Sequence, residues 1–145
     1  MRSFFLLFFF GLIFSILPWR PAMAADLRVQ VAALQNRNGV MRFALYDREA
    51  AFPTYEGRRA YLDVPVPKSG PAEAVFTDLA PGRYAIAVYH DENGNGEFDQ
   101  GLFGFPLEGY GFSRDARGFL AAPSFSSAAV VLGEDGKTIG IALSY

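Results

Sequence analysis

The sequence contains no cysteine, a single histidine, and a single tryptophan, Trp19, which lies near its start. The absence of cysteine excludes disulfide frameworks, thiolate catalysis and cysteine-type zinc sites. A lone histidine also argues against a catalytic zinc ion, whose ligands are mostly imidazoles and thiolates. The residues left for chemistry are acids, amides, hydroxyls and aromatic rings.

The first 24 residues have the layout of a secretory signal peptide. Arg2 supplies a positive start, the apolar run "FFLLFFFGLIFSIL" follows at 4–17, and Ala22 and Ala24 form an A-x-A cleavage pattern. The run is shorter than the roughly 20 apolar residues that a membrane-spanning helix needs. We therefore expect cleavage after Ala24 and export to the periplasm or the medium, with no membrane-embedded segment afterwards.

Positive charge is also scarce. Without Arg2 and Arg20 the expected mature chain, residues 25–145, keeps 11 of the 13 basic residues against 15 acidic ones, a net charge of −4. This balance offers no basic patch for a phosphate backbone, so we expect no nucleic-acid partner. The length suits a single domain with its own hydrophobic core.

Period-two alternation of apolar and polar residues dominates residues 25–145, and no helical run of 12 residues is present. The pattern predicts about seven short strands, with an edge strand at "AYLDVPV" because its prolines cannot donate to a ladder on both sides. We expect an all-β protein, a single antiparallel β-sandwich of the Ig-like or prealbumin-like kind. The turns "NRNG" and "GEDGK" predict hairpins that join the first two and the last two strands. The predicted strands are 27–34, 41–46, 60–66, 74–79, 84–90, 128–132 and 138–145.

The most chemically loaded stretch is "HDENGNGEFDQG" at 90–101. Its side-chain oxygens alternate as in a calcium-binding loop, with Gly96 at the sharp turn, and oxygen ligands suit a hard cation. Leu102 stands where an EF-hand has its bidentate glutamate, so the loop is not an EF-hand; Glu108 would have to complete the shell. The alternative is a metal-free turn in which Asp side chains cap backbone N–H groups. The predicted calcium ligands are Asp91, Asn93, Asn95, Glu97 and Asp99.

Two further interpretations concern catalysis and transport. An envelope hydrolase would use two of the acids Glu97, Asp99 and Glu108, whereas a small-ligand carrier would need an open apolar cavity. If His90 were a catalytic base it would need a nucleophile, and no serine lies in a recognisable nucleophile motif. We therefore expect His90 to end a core strand and bond to the loop backbone. We favour a domain that is not an enzyme.

The aromatic-rich segment 103–125 follows the loop. Its rings either pin the loop to the sandwich or form an exposed binding patch. We expect Glu108, Tyr110 and Phe112 to be presented to a partner, either an envelope protein or a glycan.

Three motifs in this half of the chain resemble the DUF2141 family of uncharacterised bacterial exported proteins. They are H-D-x-N-G-N-G-x-x-D at 90–99, P-x-E-G-x-G-F-S at 106–113 and P-x-F-x-x-A at 123–128. The resemblance implies export and a prealbumin-like or carboxypeptidase-regulatory-like sandwich, whose L-x-P-G-x-Y turn matches 79–84. It implies no particular activity.

Overall fold

The computed structural model of the protein describes residues 23–145, and the predicted signal peptide lies almost wholly outside these residues. The described chain is built from eight strands and very little helix, which confirms the all-β prediction. The longest helix, α1, has four residues, Phe125–Ala128. The strands are β1 Ala25–Ala32, β2 Val40–Tyr46, β3 Ala60–Pro65, β4 Ala72–Leu79, β5 Gly82–Asp91, β6 Tyr110–Phe112, β7 Val130–Leu132 and β8 Lys137–Ala142. Short 3-10 turns cover Glu49–Ala51, Leu102–Gly104 and Ser113–Asp115.

The strands form two sheets. One has the order β4-β1-β8, and the other has the order β3-β2-β5-β6, with β7 pairing with the start of β5. The edge position predicted for β3 is confirmed. All pairs are antiparallel except β1 with β8, which is parallel.

Both predicted hairpins are wrong. β1 and β2 belong to different sheets, and the chain between them crosses from one sheet to the other. The last two strands also separate, because β7 pairs with β5 whereas β8 pairs with β1. Alternation shows which face of a strand is buried, but it does not identify the neighbouring strand, so a turn motif alone was taken for a hairpin.

The two sheets pack face to face over one main core. Its buried side chains come from alternate strand positions, as period two requires. They include Leu27, Val29 and Val31 of β1, Met41, Phe43 and Leu45 of β2, and Tyr84, Ile86 and Val88 of β5.

The opposite face of the five-stranded sheet carries a second, smaller core at one end. Tyr46 and Ala85 lie there beneath Phe125, Ala128 and Ala129, at and just after α1. Phe52, from the segment that links β2 to β3, packs against this cluster. This end of the outer face is therefore covered by protein. Among residues 23–145, none of the helices has the length and apolar character that a bilayer crossing requires.

One close approach lets the crossover from β1 reach the end of β5. Gly39 has φ +68°, and a Cβ atom there would lie 1.9 Å from the carbonyl oxygen of Asp91. Gly70 has a similar φ of +76°, but a Cβ atom there would have no neighbour within 4 Å. The two glycines therefore share a backbone requirement and differ only in the space around them.

We predict that Gly39→Ala lowers the free energy of unfolding by about 3 kcal/mol or more, because backbone must move apart. Gly70→Ala should cost only about 1 kcal/mol, the ordinary penalty of a left-handed alanine. Urea unfolding of both variants measures the difference. Equal losses would show that the approach to Asp91 is not tight.

Candidate functional site

The predicted loop begins at the end of β5, where the side chain of Asp91 lies on the outer face of the sheet and is fully buried. Its Oδ1 accepts hydrogen bonds from the N–H groups of Gly94 and Asn95 at 2.7 and 3.1 Å. Its Oδ2 accepts from the N–H group of Gly96 at 2.9 Å and from Nε of Arg42 at 2.7 Å. One carboxylate therefore folds the loop around itself.

Arg42 provides the positive charge beside this carboxylate. It belongs to β2, next to β5, and it also forms an ion pair with Asp63 of β3 at 2.6 Å. The hydrogen bond to Asp91 is the main reason why the pKa of Arg42 is raised. Burial alone would raise the pKa of Asp91, but the hydrogen bonds from Arg42 and from the N–H groups of Gly96 and Gly94 outweigh it and lower this pKa.

Two of the other predicted ligands, Asn93 and Asn95, contact Asp99, whereas the side chain of Glu97 lines a groove described below. The carboxylate of Asp99 accepts from the side-chain amide of Asn93 at 2.7 Å and from that of Asn95 at 3.1 Å. The amide oxygens of the two asparagines accept N–H groups two residues further along, those of Asn95 and Glu97. These are the Asx turns of the metal-free alternative.

Glu108 closes the loop from the far side. Its carboxylate accepts from the N–H groups of Glu92 at 3.1 Å and Asp99 at 3.2 Å, and the residue is 4% exposed. Burial raises the pKa of Glu108 above its usual value, although the two N–H donors oppose this rise. The side chain is thus used inside the loop rather than presented on the partner surface that we predicted for it.

The loop as it stands satisfies its oxygens with protein donors. No buried side-chain nitrogen or oxygen among residues 23–145 lacks a hydrogen-bond partner. Nor does that part of the chain contain a group of three or more His, Asp and Glu side chains placed to hold a metal ion. Calcium binding stays a prediction, and it would require Asp91 to exchange N–H donors for the ion.

His90 points to the opposite face of β5 and is fully buried. Its Nε2 lies 2.7 Å from the carbonyl oxygen of Asn38, and its Nδ1 lies 3.0 Å from the hydroxyl of Tyr145. Because a carbonyl can only accept, the network assigns the proton to Nε2. His90 therefore lies near the end of the core strand β5, but its backbone partner is Asn38, between β1 and β2, rather than the loop that we predicted.

The aromatic segment divides into three environments. Tyr110 and Phe112 lie on β6 and are half-buried on the outer face of the sheet. Phe125 is buried in the smaller core, and Phe103, Phe105 and Phe119 are exposed. Both expected outcomes, packing and exposure, are therefore realised in different parts of one segment.

Tyr110 and Phe112 belong to a continuous series of rings across the outer face. Successive centroids lie 5.4 Å apart for Tyr89 and Phe98, 5.8 Å for Phe98 and Tyr110, and 6.1 Å for Tyr110 and Phe112. Phe52 continues the series at 5.7 Å from Phe112. These mostly edge-to-face contacts hold the rings in place.

The loop fixes one end of this series. The hydroxyl of Tyr89 donates to the carbonyl oxygen of Gly96 at 3.2 Å. Burial raises the pKa of Tyr89 to about 12, with Arg42 opposing the rise, so the hydroxyl keeps its proton.

Between the loop and the smaller core, the outer face is open. Its floor is formed by Ala44 and Ala87, which face each other across β2 and β5. Two small side chains at the centre leave a groove of about 610 Å³, within the range typical of ligand sites. Besides Tyr110 and Phe112, its walls include Tyr55, Arg58, Tyr61, Tyr89, Glu97 and Phe98.

The far wall of the groove was not predicted. Tyr55 and Tyr61 are 71% and 60% exposed, and the guanidinium carbon of Arg58 lies 3.5 and 4.8 Å from their ring centroids. This cation–π stack keeps both rings at the edge of the groove. The sequence did contain one signal for the groove itself: Ala44 and Ala87 are small outward-facing residues in strands of mostly large ones. That these two alanines face each other depends on the register of β2 and β5.

The chain belongs to the family described as "uncharacterized protein conserved in bacteria (DUF2141)", whose model matches residues 29–140. The match includes the loop, the groove and both sheets. No significant match to this chain was found among curated proteins or among solved structures. The family membership thus agrees with the resemblance drawn from the three motifs and assigns no activity.

We predict that Asp91→Asn lowers the free energy of unfolding by about 3 kcal/mol at neutral pH, because several buried donors lose an ionised acceptor. Asp63→Asn, which removes a more exposed partner of the same arginine, should cost at most about 1 kcal/mol. Denaturant unfolding measures both. A similar cost for the two variants would mean that Asp91 has no special role.

The same variant has a characteristic pH dependence. The lowered pKa of Asp91 means that its stabilisation is complete at neutral pH and is lost as pH falls through that lowered pKa. The difference between wild type and Asp91→Asn should be constant from about pH 7 to about pH 5 and should shrink below about pH 4. A difference that persists unchanged in strong acid would contradict the assignment.

Proposed function

We propose that the protein is a non-catalytic, exported carbohydrate-binding domain that holds a neutral oligosaccharide in the groove over Ala44 and Ala87. The observation that carries the proposal is the combination of aromatic walls with balanced charge. Ring faces stack on the apolar faces of sugars, and polar lining residues such as Arg58 and Glu97 can hydrogen-bond to hydroxyls. Periplasmic or secreted localisation follows from the predicted signal peptide and is part of the proposal.

The charge of the groove favours a neutral ligand. Its ionised lining residues are two cations, Arg42 and Arg58, and two anions, Asp63 and Glu97. Arg42 is further neutralised by its contact with Asp91. A phosphorylated ligand would therefore find no surplus of positive charge in the groove.

The backbone beneath the groove favours a sugar over an extended peptide. β2 is paired on both sides, with β3 and β5, and β5 is paired with β2 and β6. The floor therefore offers no free N–H or C=O groups to an added strand. A polyproline peptide, which docks on aromatic grooves without strand pairing, is the protein ligand that competes with this proposal.

Hydrolysis is less well supported by the positions of the acids. A glycosidase needs two carboxyl groups that face each other across an open cleft. Glu108 is buried, and Asp99 already receives two side-chain amides. Of the three acids considered for this role, only Glu97 lines the groove.

The loop supports the groove in this account, and we propose that it does so without calcium. Asp91 and Arg42 hold Gly96 in position, and Gly96 in turn receives the hydroxyl of Tyr89. A calcium ion in the loop would also hold Gly96 in position, but through side-chain oxygens that bind the ion. In either case the loop is a support for the ring series rather than the place where the ligand binds.

We predict that Tyr61→Ala weakens binding of a neutral hexasaccharide about tenfold, because an exposed stacking face is lost. Ala44→Leu should weaken binding at least as much by filling the floor. Val131→Ala, on β7 and outside the groove, should have no effect. Isothermal titration of the wild type against α- and β-linked neutral oligosaccharides, with a polyproline peptide in parallel, identifies the ligand first.

Two results would overturn the proposal. One is binding of the polyproline peptide, but of no oligosaccharide, with the same dependence on Tyr61. The other is oligosaccharide binding that neither groove substitution changes, which would place the sugar elsewhere.

A further inference from the structure

The segment between the loop and β6 ends in an exposed apolar projection, residues 102–107, which we call the apolar tip. Its sequence is "LFGFPL", without a charge or a polar side chain. Leu102 is 83% exposed, Phe103 96%, Phe105 64% and Leu107 68%. Four neighbouring large apolar side chains in water form a patch that soluble monomers seldom keep.

The apolar tip is held in a defined shape. At its base the N–H group of Leu107 donates to the carbonyl oxygen of Asp99 at 2.9 Å, and that of Gly101 donates to Phe105 at 2.8 Å. Gln100 and Pro106 form an isolated β-bridge. The base is thus tied to Asp99, whose own contacts with Asn93 and Glu108 tie it to the loop.

One residue of the apolar tip adopts a conformation that points to function. Phe103 has φ +62°, in the left-handed region, which costs about 1 kcal/mol for a residue with a side chain. Gly104 has φ +76° beside it. Glycine would adopt this backbone conformation at position 103 without strain, yet the sequence has an exposed phenylalanine there.

We propose that the apolar tip is a self-association surface, and that two copies of the chain pair tip to tip around a two-fold axis. An uncharged surface meets its own copy without like-charge repulsion, which a chain of net negative charge needs to avoid. Complete cover of the four side chains removes on the order of 600 Å² per chain, or about 1,200 Å² in all. That lies at the lower limit of specific interfaces, so the dimer is weak and reversible.

Pairing of the tips also places two grooves in one particle. Phe98 and Tyr110, which flank the segment that carries the tip, both line the groove. If the proposed carbohydrate function holds, a dimer engages two sites on one repeating polysaccharide and gains avidity over the single groove. The dimer itself does not depend on that function.

The test is sedimentation equilibrium of the protein purified after expression of the full chain, at concentrations up to about 1 mM. We expect a reversible monomer–dimer equilibrium in the wild type. The double substitution Phe103→Asp and Phe105→Asp should raise the dimer dissociation constant at least about tenfold. Val131→Asp is the matched control: Val131 is 65% exposed, but it lies beside Arg83, at the opposite end of β5 from the loop. It should leave the equilibrium unchanged.

A second experiment uses the lack of cysteine in the chain. Phe103→Cys should form a disulfide-linked dimer under mild oxidation, and Val131→Cys should remain largely monomeric. A wild type that is monomeric throughout the concentration range overturns the proposal, and so does equal cross-linking of the two cysteine variants. Titration of the double tip variant with a short oligosaccharide separates the two proposals: single-site affinity should equal that of the wild type even though the dimer is lost.

Discussion

A single buried carboxylate organises the polar end of this protein. Asp91 stands at the last position of β5, on the outer face of the sheet, where it would be an unpaired charge without its neighbours. Three backbone N–H groups of the following loop and the guanidinium of Arg42 meet its two oxygens. A buried carboxylate is costly unless it is fully paired. The loop conformation that supplies these donors is therefore favoured over conformations that do not. This conformation places Gly96 next to Tyr89 and Phe98 in the ring series of the groove.

The outer face of the five-stranded sheet shows how a sandwich forms a groove without adding a domain. One end is covered by Phe52, Phe125 and α1, and the other end is covered by the loop. The centre stays open because the residues there are alanines. The binding that we propose in that open strip would require no movement of the core, because the aromatic rings that form its walls are already held by one another. A preformed site of this kind loses little conformational freedom when a ligand binds.

Much of the fold could be predicted from alternation alone. The buried positions of β1, β2 and β5, the edge position of β3 and the lack of long helices all follow from period-two patterns and prolines. The pairing of strands could not, because "NRNG" and "GEDGK" are turn sequences that fit a hairpin and a crossover equally well. The loop was found from its spacing. Of its predicted ligands, Asn93 and Asn95 contact Asp99, whereas Asp91 is bound by backbone N–H groups and Arg42. Arg42 escaped detection because it is 49 residues away in sequence and reaches Asp91 only through the register of β2 and β5. Tyr61 escaped because it reaches the groove only through the register of β2 and β3, and Tyr55 because it lies in the segment that connects those strands.

We propose that protein groups, rather than a metal ion, fill the coordination of Asp91. Thermal unfolding of the purified protein in EDTA and in about 5 mM calcium tests this claim most directly, with magnesium as the control cation. We predict the same midpoint in all three conditions, within about 1 °C. A calcium-specific rise of several degrees, the size expected for a ligand that binds only the folded state, would contradict the account and make the loop an ion site.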